Sequence, residues 1–569
     1  MKKILLVALN ASFTHSNLAI LCLKSLAGRE TETAEYTIND AVSETVRDIV
    51  SKSPDAAGFS CYIWNIEHVL KIASSLKKVL PSCFIILGGP EVSYGGAELM
   101  QKHGFIDMII RGSGEIPFSH FRERFVSGAD TTDTPSAYVR IGEEIASTPD
   151  APAYDLNSTP FMYKNPEKFR NKLVYYETGR GCPFKCSYCM SAGMPVSFLP
   201  LERVREEIEY FFKAGFMKVK FVDRTFNYPA KRGYDIIKSI IDLSEKYPAS
   251  PSGFHLEITA SLLDAKTIRL LKKAREGLIQ IETGIQSTNP GTLRAVCRPS
   301  DVPKTLKNIR SLCAMENLHV HCDLIAGLPL ETYETFKRSF NDAYSLKPDT
   351  LQLGFLKVLK GSALRAEAKK YGLVFNDFAP YEILYTDTMS YGELLKLHRI
   401  EAMLDRLYNA GLCTVTLEHI IPSFESAFHF FEGFADHLEK REYFKNQQKI
   451  KRLFVELFNY ASGKCDAAAL REALALDWLR AGKGSWPEEF EPEFTFMDKA
   501  QIYTFYNNDD MIKKYLPAYA GLSPKEISRR CFILVCKRLF PRPAPMLFDY
   551  GRRTKKGYHF QEIDAADWR

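Results

Sequence analysis

The residues of this chain with the most pointed chemistry lie together: Gly179-Arg180-Gly181-Cys182-Pro183-Phe184-Lys185-Cys186-Ser187-Tyr188-Cys189-Met190. Three cysteines at i, i+4 and i+7 can fold as one loop around a metal centre. Thiolates are soft ligands that select iron–sulfur clusters, zinc or Cu(I). A structural zinc loop usually adds a second cysteine pair or downstream histidines, and no such partner is placed nearby. The lack of a fourth cysteine in register has a chemical meaning of its own. A [4Fe–4S] cube held by three thiolates keeps one iron open. That iron can chelate the amino and carboxylate groups of S-adenosylmethionine (SAM) and pass an electron to its sulfonium. Homolysis then yields a 5′-deoxyadenosyl radical. Cys182, Cys186 and Cys189 are therefore expected as cluster ligands and as the catalytic centre.

Such a loop needs a scaffold. KLVYYET (172–178) leads into it and opens a β/α series that continues through KVKFVD (218–223), FHLEITA (254–260), LIQIETG (278–284), HVHCDLIAG (319–327) and TLQLGFLKVL (350–359). About six units are expected, fewer than the eight of a closed barrel. A partial, TIM-like (β/α)6 barrel of this kind would leave a lateral opening for a bulky substrate. Before it, KILLVAL (3–9), EYTI (35–38), AAGFSCYIW (56–64), CFIILGG (83–89) and DMIIRG (107–112) alternate with helix-patterned segments. This is the signature of a doubly wound, Rossmann-like parallel sheet, whose ligands sit at the carboxyl ends of its strands. The α/β chain thus divides into a first domain at 1–135, a polar, proline-dotted linker at 136–170, the barrel at 171–375, and a mainly helical region at 376–569. The last residues read as a short strand and a basic tail containing Arg542, Arg552, Arg553, Lys555 and Lys556.

The cysteine loop matches in full the CxxxCxΦC motif of the radical SAM superfamily, with Tyr188 as the aromatic Φ, and the resemblance extends over about 170–360. By that resemblance Tyr188 packs near the adenine of SAM. Asp223, in FVDRTFN, stands where the family binds the methionine amino group. The family's Gly-Gly-Glu version is absent, and FVDRTFN looks like the Asp-bearing variant of cobalamin-binding members; the role of Arg224 stays open. Glu257 and Glu282 could contact ribose or substrate. Glu282-Thr-Gly284-Ile-Gln286-Ser287, followed by Arg298, resembles the strand-four motif, in which the arginine pairs with the methionine carboxylate. Asp323-Leu-Ile-Ala-Gly327-Leu-Pro329 resembles the loop lining adenine. The same carboxylates could instead cap strand ends, and Gly-Leu-Pro could be only a turn.

Gly88-Gly89-Pro90 and Gly112-Ser113-Gly114-Glu115 resemble the cobalamin-binding domain of class B radical SAM proteins, where glycines let the backbone approach a large flat ligand. Asn10, His15 and Ser60 end neighbouring strands and join the expected cobalamin site. No G-x-G-x-x-G follows the first strand, which disfavours a dinucleotide. The Asp-x-His-x-x-Gly motif that ligates cobalt in methylcobalamin enzymes also fails around His15, which reads as a polar-contact residue. A second-cluster domain, as in radical SAM methylthiotransferases, would need Cys22, Cys61 and Cys83, which ordinary buried thiols explain better. Cys297, Cys313, Cys322, Cys413, Cys465, Cys531 and Cys536 show no ligand spacing.

The composition is that of a folded chain of several domains: 569 residues, 46% hydrophobic, 25% charged and a net charge of +6. Thirteen cysteines, odd in number and scattered, suit a reducing cytoplasm better than a disulfide framework. No run of 18 apolar residues occurs, so no membrane span is expected. The expected function is an oxygen-sensitive radical SAM enzyme, a cobalamin-dependent methyltransferase acting on an unactivated carbon, fed by a flavodoxin- or ferredoxin-like electron donor. The alternatives are a cobalamin-dependent rearrangement or cyclisation, methylthiolation, and a non-catalytic iron–sulfur or cobalamin sensor. The small surplus of positive charge neither requires nor excludes a nucleic-acid substrate.

Overall fold

The computed structural model describes residues 2–298, 300–445, 449–482, 486–496, 498–554, 557–564 and 566–567. They form two compact units: 1–339 with 346–349 and 354–391, and 340–345 with 350–353 and 392–569.

The first unit opens with strands β1 (Ile4–Asn10), β2 (Thr31–Thr37), β3 (Ala56–Ser60), β4 (Phe84–Gly88) and β5 (Met108–Ile110). They pair in parallel in the order β2-β1-β3-β4-β5. All seven residues of β1 are buried, which is what a central parallel strand covered on both faces requires. Two apolar layers do the covering. On one side the helix Ile66–Val79 presents Val69, Ile72, Ala73 and Leu76 at helical spacing; on the other Phe118, Phe121 and Phe125 pack against Ile4, Leu6 and Ile86.

The segment expected as a linker departs from that reading. Its first part forms β6 (Ala137–Ile141) and β7 (Glu144–Ser147), an antiparallel hairpin that extends the sheet beyond β5. Only Gly142 and Glu143 separate the two strands, and Gly142 adopts φ +61°; glycine at the first turn position suits a two-residue hairpin. The polar residues around it masked two strands of five and four residues.

The second sheet of this fold runs β15-β14-β13-β12-β11-β8. Its members are β8 (Leu173–Tyr176), β11 (Lys218–Phe221), β12 (Gly253–Ile258), β13 (Ile279–Gln286), β14 (His319–Ala326) and β15 (Thr350–Phe355). A two-residue ribbon, β9 (Gly179–Arg180) with β10 (Ser197–Phe198), lies between β8 and β11. Along β13 and β14 buried residues alternate with half-buried ones. One face is Ile279, Ile281, Thr283, Ile285 and Val320, Cys322, Leu324; the other is Gln280, Glu282, Gln286 and His319, His321, Asp323. A period of two thus gives the open barrel an apolar outer wall and a polar lumen. A further ribbon pairs β16 (Val374–Phe375) with β17 (Ile383–Tyr385).

In the second unit, helices from 392 to 480 bury an aromatic core that includes Phe428, Phe430, Phe431 and Phe434. Two buried carboxylates on the helix Ala467–Arg480 hold it together. Asp477 accepts from Val415 N, Thr416 N and Thr416 Oγ1 at 3.2, 2.8 and 2.8 Å; burial nonetheless pushes its pKa up to about 7. Glu472 accepts three backbone N–H groups, from Lys537, Arg538 and Leu539, each at 2.9 Å.

The expected basic tail is a sheet. Strands β18 (Thr495–Phe496), β19 (Cys531–Cys536), β20 (Ala544–Thr554) and β21 (Gly557–Glu562) pair in sequence order, antiparallel. Ala544 to Asp549 are buried between two partners, while Arg552 and Arg553 project into solvent at the strand's far end. Lys555 and Lys556 lie outside the described residues. Among the described residues no helix is long and apolar enough to cross a membrane.

Candidate functional site

The cysteine loop is pinned at both ends. Gly179 pairs with Phe198 and Arg180 with Ser197, so residues 181–196 leave and return at one place. Gly181 has φ +93°, and a Cβ there would lie 2.1 Å from Pro195 O; no other residue fits this crossing. Inside the loop Cys182 N donates to Met194 O, Gly193 N to Phe184 O and Cys189 N to Cys186 O. Cys182 and Cys186 are buried and Cys189 is half-buried.

Each thiol has a polar neighbour. Cys182 Sγ lies 3.7 Å from Thr225 Oγ1, Arg298 donates to Cys186 Sγ at 3.6 Å, and Ser191 N donates to Cys189 Sγ at 3.4 Å. Burial pushes the Cys189 thiol up; Ser191 N–H and the charge of Arg224 pull it down, and Cys186 and Cys182 push it up again. The three sulfurs therefore sit within one another's field. Among the described residues no three His, Cys, Asp or Glu side chains converge as a single metal ion would need. In a four-iron cube each thiolate binds its own iron, and three cysteines carried by one short loop are a donor set of that kind.

Around the loop the expected SAM residues fall into two groups. Beside the cysteines, Arg298 donates to Gly284 O at 2.7 Å as well as to Cys186. Tyr188 is close enough that its hydroxyl, buried and without a hydrogen-bond partner, is pushed up by burial and pulled down by Arg298. Gln286 sits at a β-bulge of β13 with φ +67°; its Oε1 is buried and unsatisfied, as expected of a group waiting for a donor. Gly327 has φ +81°, and a Cβ there would strike Ile383 at 2.7 Å.

Asp223 is hydrogen-bonded within the chain. Its carboxylate accepts from Thr178 N at 2.7 Å and Thr178 Oγ1 at 2.6 Å, tying the end of β11 to the chain leaving β8. Burial pushes its pKa up to about 6 despite these bonds.

Glu257 and Glu282 face the lumen, and Lys220 bridges them at 3.1 and 3.0 Å. His255 Nε2 lies 2.8 Å from Glu282. Burial would raise the Glu282 carboxyl; His255 and Lys220 overcome it and hold its pKa down at about 2.

A cavity of about 1100 Å³ joins the two sheets of the first unit. All nine residues expected at the cobalamin site line it: Asn10, His15, Ser60, Gly88, Gly89, Pro90, Gly112, Gly114 and Glu115. Asn10, Asn17 and Ser60 form a buried hydrogen-bonded chain that sets the strand ends of β1 and β3. Gly89 has φ +114°, and a Cβ would come within 2.5 Å of Cys61 O. At Gly112, by contrast, a Cβ would meet nothing within 4 Å. This bare rim is a cradle that side chains would fill, and it fits a wide flat ligand. His15 shares a 2.5 Å hydrogen bond between Nδ1 and the Tyr175 hydroxyl, and burial lowers its pKa.

Of the barrel residues expected at SAM, Glu257 reaches the lining; Tyr188, Asp223, Glu282, Gln286, Arg298 and Gly327 do not. The cysteine loop meets the cavity through Gly181, Met190, Ser191 and Met194.

Sequence reasoning missed Arg180 and Lys220, and it marked the strand end at 60–65 without singling out the stacked pair Tyr62 and Trp64, whose rings lie 4.3 Å apart at 8°. The position of Tyr62 and Trp64 just after β3 was the available signal. Cys22, Cys61 and Cys83 are buried, and burial pushes the first up to about 12 and the last up to about 11. Such thiols resist the deprotonation that ligation requires.

Residues 4–122 match the B12 binding domain, 176–343 the Radical SAM superfamily and 369–537 a protein family of unknown function, DUF4080. The chain is 27% identical over 320 residues to 2-(S-pantetheinyl)-carbapenam-3-carboxylate methyltransferase of Streptantibioticus cattleyicolor, covering 52% of this chain and 46% of that protein. It is 26% identical over 340 residues to the cobalamin-dependent radical SAM methyltransferase TokK of Streptomyces tokunonensis, covering 56% and 50%. The chain thus spans about half the length of these curated relatives. In fold it is similar to the cobalamin-dependent SAM radical enzyme OxsB with aqua-cobalamin bound, with a TM-score of 0.60, 13% identity, and coverage of 86% and 82%. The chain is a radical SAM protein with an N-terminal B12-binding domain and a C-terminal region of the DUF4080 family.

Proposed function

We propose that this protein is an enzyme that reductively cleaves SAM and uses cobalamin to methylate an unactivated carbon of its substrate. The observation that carries this reading is the single cavity of about 1100 Å³ lined by both the glycine rim of the first sheet and the flank of the cysteine loop. When bound, a [4Fe–4S] cluster would supply the electron that cleaves SAM, and cobalamin would relay the methyl group. Cys182, Cys186 and Cys189 would hold the cluster, with Arg298 and Tyr188 at its side. Gly88, Gly89, Gly112 and Gly114 would seat the corrin. His15, already bonded to Tyr175, would position the junction of the two sheets instead of ligating cobalt. Gln286, with its unsatisfied oxygen, would accept from SAM, and Glu257 would face SAM or substrate. A flavodoxin- or ferredoxin-like protein would deliver electrons. We assign the B12 module to 1–135 and the barrel to 171–375, with the hairpin of 137–147 closing the first sheet.

The test is anaerobic purification and reconstitution. About four irons per chain are expected, together with a cobalamin absorption spectrum and formation of 5′-deoxyadenosine from SAM. Cys182→Ala, Cys186→Ala or Cys189→Ala should abolish the cluster signal and SAM cleavage together while cobalamin stays bound. A cluster and SAM cleavage persisting in any of the three would refute the assignment. Once a substrate is found, a product heavier by one methyl group separates methylation from a rearrangement or cyclisation.

A further inference from the structure

In the cavity that serves the proposed function every lysine and arginine of the lining but one has an ion-pair partner. Five basic and five acidic side chains line it. Arg111 pairs with Asp150 at 3.1 Å, and Arg203 with Glu207 at 2.8 Å. Arg180 takes both Glu115 and Glu177, at 2.7 and 2.8 Å. Lys220 takes Glu257. Every carboxylate of the lining is then matched. The fifth cation, Arg224, is exposed in the loop that follows β11 and makes no ion pair and no side-chain hydrogen bond among the described residues.

Arg224 is not a stray surface charge. It lines the cavity together with Tyr62 of the loop after β3 and Met190 and Ser191 of the cysteine loop. A guanidinium offers a planar fork of donors that matches the two oxygens of a carboxylate or phosphate. Each carboxylate of the lining is already held by another lysine or arginine, so none of them occupies that fork.

We propose that Arg224 is the substrate-recognition residue of the cavity and that the substrate is an anion, bearing a carboxylate or phosphate that this guanidinium receives. The inference rests on the function proposed above and adds to it the charge class of the molecule to be modified. Two other oxyanions enter the same protein, the methionine carboxylate of SAM and the phosphate of cobalamin, and the experiment must tell them from the substrate.

The test uses the holoenzyme, with cluster and cobalamin loaded, titrated in a calorimeter at constant ionic strength with benzoate, with phenyl phosphate and with uncharged benzamide. At least one anion should bind about tenfold or more tighter than benzamide, the size of one charge-assisted hydrogen bond. Arg224→Gln should remove that preference and Arg224→Lys should keep part of it, with circular dichroism of both variants matching the parent. Equal binding of all three probes, no saturable binding of either anion, or a preference surviving in Arg224→Gln would overturn the proposal. The SAM dissociation constant and the cobalamin content of Arg224→Gln are expected to equal those of the parent. A matching loss of SAM affinity would assign the fork to the methionine carboxylate, and a loss of cobalamin to its phosphate; either overturns the assignment to substrate. None of these titrations needs turnover. A protein that discriminates the anions but forms no 5′-deoxyadenosine would therefore contradict the proposed function and leave the anion site standing.

Discussion

Glu282 shows how a single side chain in the barrel lumen is set by its neighbours. In isolation a half-buried carboxyl would gain a proton. Lys220 at 3.0 Å and His255 at 2.8 Å reverse this and keep it ionised down to about pH 2. Its pKa in the folded chain therefore lies below the unfolded value. The stability it contributes is present above about pH 4.3 and is lost as the pH falls through about 2. The contribution is on the order of 2–3 kcal/mol at neutral pH. Glu282→Gln is expected to lower the apparent melting temperature at pH 7. It should also remove the part of the acid destabilisation between pH 4.3 and 2 that belongs to this group. Thermal melts over that range read both effects, and an unchanged acid slope in Glu282→Gln would count against the lumen ion-pair cluster.

At the scale of elements, the glycines at the strand ends do the shaping. Gly89 closes the end of β4 against the backbone of Cys61, with φ +114° and no room for a Cβ. Gly89→Ala must both strain its own backbone and push the loop after β3 outward. That loop carries Tyr62 and Trp64 into the cavity. Loss of cobalamin retention with the cluster intact is the expected outcome, read from the corrin absorption and the iron content of the same preparation. Gly112→Ala is the contrasting variant, because open space surrounds its Cβ position. Its φ of +64° still costs on the order of 1 kcal/mol for a non-glycine residue, so it should lower stability slightly. Comparing the two variants separates backbone strain from displacement of the loop.

For the first unit as a whole, Arg180 is the tie between its two sheets. It belongs to the ribbon that pins the cysteine loop, and it reaches Glu115 at the start of the helix after β5. The Glu115 side chain is only 6% exposed, so it cannot be left alone cheaply. Arg180→Met should cost about 3–5 kcal/mol, the penalty of an uncompensated buried charge. Arg180→Met combined with Glu115→Leu should recover much of it. Denaturant melts of the two variants check this; equal destabilisation by both would show that the pair is not coupled.

Local patterns determined much of this protein. Cysteine spacing at 182, 186 and 189 named the metal chemistry, because thiolate number and interval are covalent properties of the chain. Apolar runs such as ILLVALN and the period of two in IQIETGIQ marked the strands, because burial on one or both faces must be written into each strand. The glycines after β4 and β5 marked the rim, since Gly89 has no room for a Cβ and Gly112 leaves open space where one would stand. Other features were decided by contacts between residues far apart in the chain. The hairpin of 137–147 and the sheet of 531–562 depend on pairing partners that short polar or basic stretches do not announce. Asp223 ties two strand ends together because Thr178, 45 residues away in the chain, donates to its carboxylate. Arg224 is left without an ion pair because Arg111, Arg180, Arg203 and Lys220 hold the carboxylates of the lining. Charge pairing is a property of distance in space, and only the folded chain sets those distances.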